Sequence, residues 1–331
     1  MKCDYCGSEK HLFIFRSKDY VFSVIPGEFN LVKCSKCNLV STSPRINSND
    51  LVNYYSKIVS YGEIPKYMNV EANSSLFLKR DILTDYFNYP ILEKNIKRKL
   101  IQFPNYLRLR RWWKRTLFIP PYIENGCVLE VGCSYGIYLS GLKKLGWKVK
   151  GIELNEKAVN YARDVLKLDV EKCRIEDFQS DMLFDIIYLY MVLEHIESPK
   201  AILKKLYSLL KPSGRIVFSV PDFSGIESRI YKKYAYTNHV PLHLYHFTPN
   251  TIRNFLKECN FKKIKIVHQN FDRDLIAPLN FILKENPNNI LAKIAYMFCI
   301  NKFFRKTIIK LIVKVLSFLG KTSRMTIIAK K

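Results

Sequence analysis

Apolar and polar positions switch between two periods along the second half of the chain. Residues 127–131 (CVLEV) and 184–190 (FDIIYLY) are short, nearly continuous apolar runs, the pattern of strands covered on both faces. The first is followed by a helical pattern, IYLSGLKKLG, and then by WKVKGIEL, a second strand ending at Glu153. NEKAVNYARDV predicts another helix, and residues 168–178 predict a weakly written third strand. The run at 184–190 is the fourth strand. KAILKKLYSLLKPSG after it is a helix with Ser198 as cap and Pro199 at its first position. RIVFSVP is a fifth strand, and a long connection over 221–247 leads to TPNTIRNFLKECNF, where Thr248 and Pro249 supply cap and first turn. A sixth strand opens at Phe261, and SRMTIIAKK makes a seventh. Strands alternating with helices predict an α/β fold.

The first half reads differently. HLFIFRSKDYVFSVI suggests short strands. Residues 45–92 hold scattered aromatics (Tyr54, Tyr55, Tyr61, Tyr67, Phe77, Tyr86, Phe87, Tyr89) and helices such as SSLFLKRDILTDYF, with Ser74 or Ser75 as cap. Core packing and a lid with substrate contacts are both open for this segment. Pro120-Pro121 separates it from the strand-and-helix region that begins at Cys127. The expected division is therefore 1–44, 45–120 and 121–331, with a helical insertion at about 285–320 before the last strand.

The turn after residues 127–131 carries the first candidate chemistry. Gly132 lets the chain bend where a Cβ would crowd it, Gly136 lets a helix start close to a ligand, and Glu153 can accept both hydrogen bonds of a ribose diol. A diphosphate favours bare backbone N–H groups. The acid at Glu130, two residues before the first glycine, suits a cationic amine better.

Glu130-Val131-Gly132-Cys133-Ser134-Tyr135-Gly136 resembles motif I (E/D-x-G-x-G-x-G) of the class I methyltransferases that use S-adenosylmethionine, with Ser134 in place of the middle glycine. The run from Phe184-Asp185 through Leu193-Glu194-His195 to Pro199, and the Leu-Lys-Pro-x-Gly turn, resemble the small-molecule branch of those enzymes. The resemblance implies a Rossmann-like, seven-stranded sheet with helices on both faces, closed by an antiparallel hairpin. It also implies S-adenosylmethionine held by Glu130, Gly132, Cys133, Ser134, Gly136, Glu153, Leu154 and Tyr190. Glu176 or Asp177 would lie near the adenine. His195 is then the first candidate for a general base, since an ordinary imidazole titrates at about 6.5. Glu194 would orient it or contact substrate, and the same pair reads equally as a structural cap of the next helix. His243 and His246, in HVPLHLYHF with His239, lie on the loop expected to cover the same crevice.

Nine cysteines include two C-x-x-C pairs, Cys3/Cys6 and Cys34/Cys37. Four thiolates at that spacing make a closed structural Zn2+ site in a small ribbon-like module, with iron or free thiols as the alternatives. The odd count and the MKCDYC start, which lacks a hydrophobic signal core, point to a reducing, cytoplasmic setting.

Net charge changes the choice of partners. With 54 Lys and Arg against 29 Asp and Glu, a formal charge of +25 attracts nucleic acid, a membrane surface or a phosphorylated substrate. Residues 94–115 hold nine basic residues, no acid, and Trp112-Trp113. Such a run fits a phosphate backbone, a bilayer surface, or a solvated basic face. Over 288–320, Lys302, Lys306, Lys310 and Lys314 recur every four residues beside Ile, Leu, Val and Phe. That pattern predicts a helix lying on an anionic membrane, with a helical hairpin or a dimer contact as alternatives.

The acceptor is the least determined feature. No N-P-P-Y or D-P-P-Y follows the fourth strand, which lowers the case for a nucleic-acid base. A four-cysteine module ahead of the LEH core resembles sugar and glycan methyltransferases, including nucleotide-sugar C-methyltransferases, whose second C-terminal domain has no counterpart here. O- or C-methylation of a small-molecule, sugar or lipid-linked glycan acceptor is thus the expected reaction. An RNA or DNA methyltransferase and a non-catalytic membrane-associated adaptor are the competing readings.

Overall fold

The computed structural model describes residues 2–46, 54, 80–107 and 119–331. Ser74, Ser75, Tyr55, Tyr61, Tyr67, Phe77, Trp112 and Trp113 lie outside the described residues.

At the amino end, β1 (His11–Ser17), β2 (Phe29–Cys34) and β3 (Val40–Ser43) pair antiparallel in chain order. Two short helices come next, α1 (Arg80–Phe87) and α2 (Ile96–Ile101). Asn95 caps α2 by accepting from Arg98 N at 3.1 Å, and Arg98 in turn donates to the buried Asp85 carboxylate at 2.8 and 2.9 Å. One cation of the basic run is therefore spent on holding two helices together.

The larger sheet starts with β4 (Cys127–Val131), α3 (Ile137–Lys144), β5 (Lys148–Glu153), α4 (Glu156–Asp164), β6 (Val170–Lys172) and β7 (Phe184–Tyr190). β4 pairs parallel with both β5 and β7, and β5 pairs parallel with β6. Every residue of β4 is buried, as is β7 up to Tyr190, which explains their unbroken apolar writing. α5 (Pro199–Leu209) then runs directly into β8 (Leu210–Pro221). The strand begins five residues earlier than Arg215. The reason is the chain's far end, where Lys331 N donates to Gly214 O at 2.9 Å and Lys331 Nζ to Leu210 O at 2.6 Å.

The connection at 221–247 is not simply a loop. It contains α6 (Ile226–Tyr231) and β9 (Tyr245–His246), and β9 pairs antiparallel with β3 through Val40↔His246 and Ser41↔Tyr245. Phe29, Leu31 and Val40 share their core with Val240 and Phe223. Three short strands bury too little by themselves, so residues 223–246 complete the amino-terminal sheet.

α7 (Pro249–Glu258) has the expected Thr248 cap, reinforced by a reciprocal bond with Thr251. β10 (Lys262–His268) and β11 (Arg324–Lys330) finish the seven-stranded sheet, ordered β10-β11-β8-β7-β4-β5-β6 among the described residues. Between them come α8 (Arg273–Glu285), α9 (Ile290–Ile300), α10 (Lys302–Phe304), a π-helical turn (Arg305–Ile309) and α11 (Lys310–Phe318). The lysine stripe is broken by that π turn, which takes an extra residue per turn and shifts the alignment. Lys302, Lys306 and Lys314 are exposed, while Lys310 is half-buried.

The chain forms two compact units, each discontinuous in sequence. One comprises residues 1–57, 191–204 and 218–329, the other 58–190, 205–217 and 330–331.

Candidate cofactor and acid–base sites

In the second unit, β4 has β7 on one side and β5 on the other, so the strand order reverses at the β4/β7 edge. Open parallel sheets bind ligands at the carboxyl ends of strands at such a point. The bend leaving β4 is built from left-handed residues: Gly132 at φ 70°, Ser134 at φ 48° and Gly136 at φ 72°. Ser134 keeps the conformation a glycine would adopt freely, at a cost of about 1–2 kcal/mol. Glu153, at the end of β5, braces the bend. Its Oε2 accepts from Ser134 N at 2.8 Å, and its Oε1 accepts from Leu154 N at 2.7 Å and Asn155 N at 2.9 Å.

At Gly136 a Cβ would lie 2.6 Å from Leu168 Cδ1 and 3.2 Å from Ala162 Cβ, so the absence of a side chain also makes room for those two residues. Cys133 likewise turns its thiol toward the protein, where a Cβ on Gly151 would meet Sγ at 2.7 Å. Glu176 is exposed beyond β6, with Arg174 at 3.6 Å. Tyr190 ends β7 and is half-buried.

Glu130 lies inside β4 and is buried, with no hydrogen-bond donor on its Oε2 among the described residues. Loss of hydration, and then the nearby Glu153 charge, push its carboxyl well above the ordinary range. A buried acid beside a second acid calls for a positive group. The α-ammonium of S-adenosylmethionine supplies one, so Glu130, the glycine bend and Glu153 fit that cofactor.

In the first unit, a one-turn 3-10 helix at Leu193–His195 presents Glu194 and His195. Glu194 is fully buried, and neither carboxylate oxygen meets a donor on another residue among those described. His195 Nδ1 lies 2.9 Å from Leu242 O, and His243 Nδ1 lies 3.0 Å from Thr237 O. Read as donors, these nitrogens leave each Nε2 as the acceptor. His243 Nε2 is 4.0 Å from Glu194 Oε1, and the His195 and His243 rings meet edge-on at 4.8 Å. Ligand atoms of Glu194, His195 and His243 all fall within 4.8 Å of one another, a spacing that could also hold a cation. His246 stands apart in β9 with its Nε2 2.9 Å from Thr42 Oγ1, a partner of the small sheet.

Proton affinities in this cluster are the reverse of those expected. Burial pulls His195 down to about 4, partly opposed by the Leu242 carbonyl, which favours the imidazolium. Burial also pulls His239 and His246 down to about 3 and His243 well below its ordinary value. Loss of hydration pushes Glu194 up to about 8, opposed by its own backbone N–H and by Arg324. Loss of hydration thus disfavours an imidazolium at His195.

A family model described as "Methyltransferase domain" matches residues 102–266. The fold is that of a class I S-adenosylmethionine-dependent methyltransferase. The chain is similar to the ubiquinone biosynthesis O-methyltransferase of Nitrosococcus oceani, 30% identical over an alignment of 132 residues, with 33% of this chain and 56% of that one covered. For the protein of the same name from Idiomarina loihiensis the figures are 34% over 133 residues, 33% and 55%. The chain thus spans about half the length of the curated relatives it matches. Among solved structures, a SAM-dependent methyltransferase from Archaeoglobus fulgidus aligns with a TM-score of 0.44 and 21% identity, covering 70% of this chain and 94% of that one.

The methyltransferase core is preceded by the four-cysteine cluster. Cys3 and Cys37 Sγ are 3.5 Å apart, as are Cys6 and Cys34 Sγ, and all four sulfurs lie within 4.8 Å of one another. Sulfurs about 2.3 Å from one tetrahedral zinc would stand about 3.8 Å apart. The two knuckles are built alike: Gly7 (φ 72°) and Asn38 (φ 62°) follow the second cysteine of each, and each N–H returns to the first cysteine's carbonyl. Four free thiols in this arrangement fit a closed zinc site.

Two contributors were not singled out among the site candidates. His239 is half-buried, its Nε2 is buried without a hydrogen-bond partner among the described residues, and its ring lies 5.2 Å from that of His243. Arg324, in β11, acts electrostatically on Glu194 although 130 residues separate them in sequence. His239 had a signal in the histidine-rich HVPLHLYHF; Arg324 had none.

Proposed function

We propose that the protein transfers the methyl group of S-adenosylmethionine to a small-molecule acceptor, a sugar or lipid-linked glycan precursor, at oxygen or carbon. The observation that carries this reading is Glu130, a buried acid with an unpartnered oxygen beside the Glu153-braced bend. When bound, the cofactor supplies a methyl group already activated on a sulfonium. Glu130 would accept from its ammonium. Glu153 would accept from the ribose hydroxyls with the lone pairs its three backbone donors leave. Glu194, the strongest proton acceptor of its cluster, would take the acceptor's proton, while His195 and His243 orient the acceptor.

Cys3, Cys6, Cys34 and Cys37 would hold one structural zinc. Metal analysis of the purified chain should give one equivalent of zinc, and Cys34→Ser should release it; zinc-free native protein would remove this assignment. A cytoplasmic enzyme touching an anionic membrane through residues 288–320 would meet a lipid-linked acceptor directly.

The deciding experiment is incubation with methyl-labelled cofactor and separate lipid, sugar-nucleotide and RNA fractions. Label in the lipid or sugar-nucleotide fraction supports the reading. Label in RNA alone, or in none, overturns it.

A further inference from the structure

The helices between β10 and β11 turn an apolar side to solvent. Their inner sides pack on one cluster, formed by Leu279, Cys299, Ile309 and Val313. A helix that buries one stripe in this way normally shows polar residues opposite. Here the outer side is apolar, and it is written twice. Residues 290–298 read ILAKIAYMF and residues 311–319 read LIVKVLSFL. In both, positions one, two, five, eight and nine are apolar and exposed, position three is buried, and position four is an exposed lysine (Lys293 and Lys314). Leu291 is 82% exposed and Phe318 83%, values that only an unpartnered face leaves on such side chains.

We propose that this doubled face binds the surface of an anionic lipid bilayer. Charge complementarity selects that partner. No acid follows Glu285, and ten Lys and Arg do. Arg305 and Arg324 are paired with Asp272 and Asp274, leaving Lys293, Lys302, Lys306 and Lys314 exposed. Lysines at the edge of an apolar stripe lay their stems along it and lift their ammonium groups to lipid phosphates. A second copy seated on the same face would set lysine against lysine with no carboxylate between them. Among the described residues no helix is long and apolar enough to cross a membrane, so the helices lie on the bilayer and do not span it.

Lipid binding by this face does not depend on which acceptor is methylated, so it is measured without turnover. The full chain is floated with vesicles of phosphatidylcholine alone and of phosphatidylcholine mixed with phosphatidylglycerol. It should float with the mixed vesicles only, and added salt should release it. Leu291→Glu with Phe318→Glu should cut the bound fraction about tenfold with an unchanged circular dichroism spectrum. Lys293→Glu with Lys314→Glu, which removes no apolar surface, should also release it. Absence of flotation, equal flotation of these variants, or a dimer that Leu291→Glu with Phe318→Glu dissociates while nothing floats would each overturn the proposal.

Discussion

Glu130 and Glu194 are both buried acids, and among the described residues neither Glu130 Oε2 nor either Glu194 oxygen meets a donor on another residue, yet their neighbours suit them to opposite uses. Glu130 sits with another carboxylate, Glu153, at a bend rich in backbone N–H groups. An acid so placed would be relieved by a fixed positive charge, which suits it to a binding role. Glu194 sits among imidazoles that burial keeps neutral, so no fixed cation compensates it apart from the influence of Arg324. Such an acid gains most by exchanging a proton, which makes it a candidate for chemistry. Burial alone decides neither role; the nearest ionisable neighbour does.

The sharpest way to break this comparison is Glu194→Gln. Cofactor affinity should be unchanged in calorimetry while kcat falls by about 10²–10⁴. In the unsubstituted protein kcat should rise with pH through about 8, as Glu194 ionises, and the variant should lose that dependence. A normal rate in Glu194→Gln would return the base to a histidine. Next in size, Glu153→Ala frees three backbone donors and should weaken S-adenosylhomocysteine binding about a hundredfold by calorimetry. Unchanged affinity would place the ribose elsewhere.

Glu130→Gln keeps shape but removes charge, and should weaken S-adenosylmethionine about tenfold while leaving a ligand without the ammonium unaffected. Equal loss for both ligands would mean Glu130 is only structural. Stability offers a smaller test. The folded pKa of Glu194 is raised, so its contribution is full below the unfolded value of 4.5 and is lost as pH rises through about 8. The melting temperature of Glu194→Gln should therefore fall less than that of the parent between about pH 5 and 8. Smallest of all, Ser134→Gly should stabilise the chain by about 1 kcal/mol in urea unfolding, by removing a left-handed serine.

Much of the sheet was legible because its strands are short and covered on both faces, so their sequences are apolar without interruption. The bend was legible for a related reason: left-handed backbone favours glycine at residues 132 and 136. What surrounds Gly136 was not legible, and the structure fills that space with Leu168 and Ala162. The short elements inside the connection at 221–247 were not legible either. A two-residue strand such as β9 has no period of its own and exists only because β3 offers an open edge.

Local spacing by itself determined the four-cysteine cluster, the glycine bend with its two acids, and the order of strands and helices, since each depends on residues close along the chain. Only the tertiary structure decided that Glu194 holds its proton more tightly than His195. That order comes from lost hydration and from a distant arginine, quantities set by how the chain closes around them. The same holds for the outer helices, where the sequence wrote apolar residues all round and folding alone determined which of them face water.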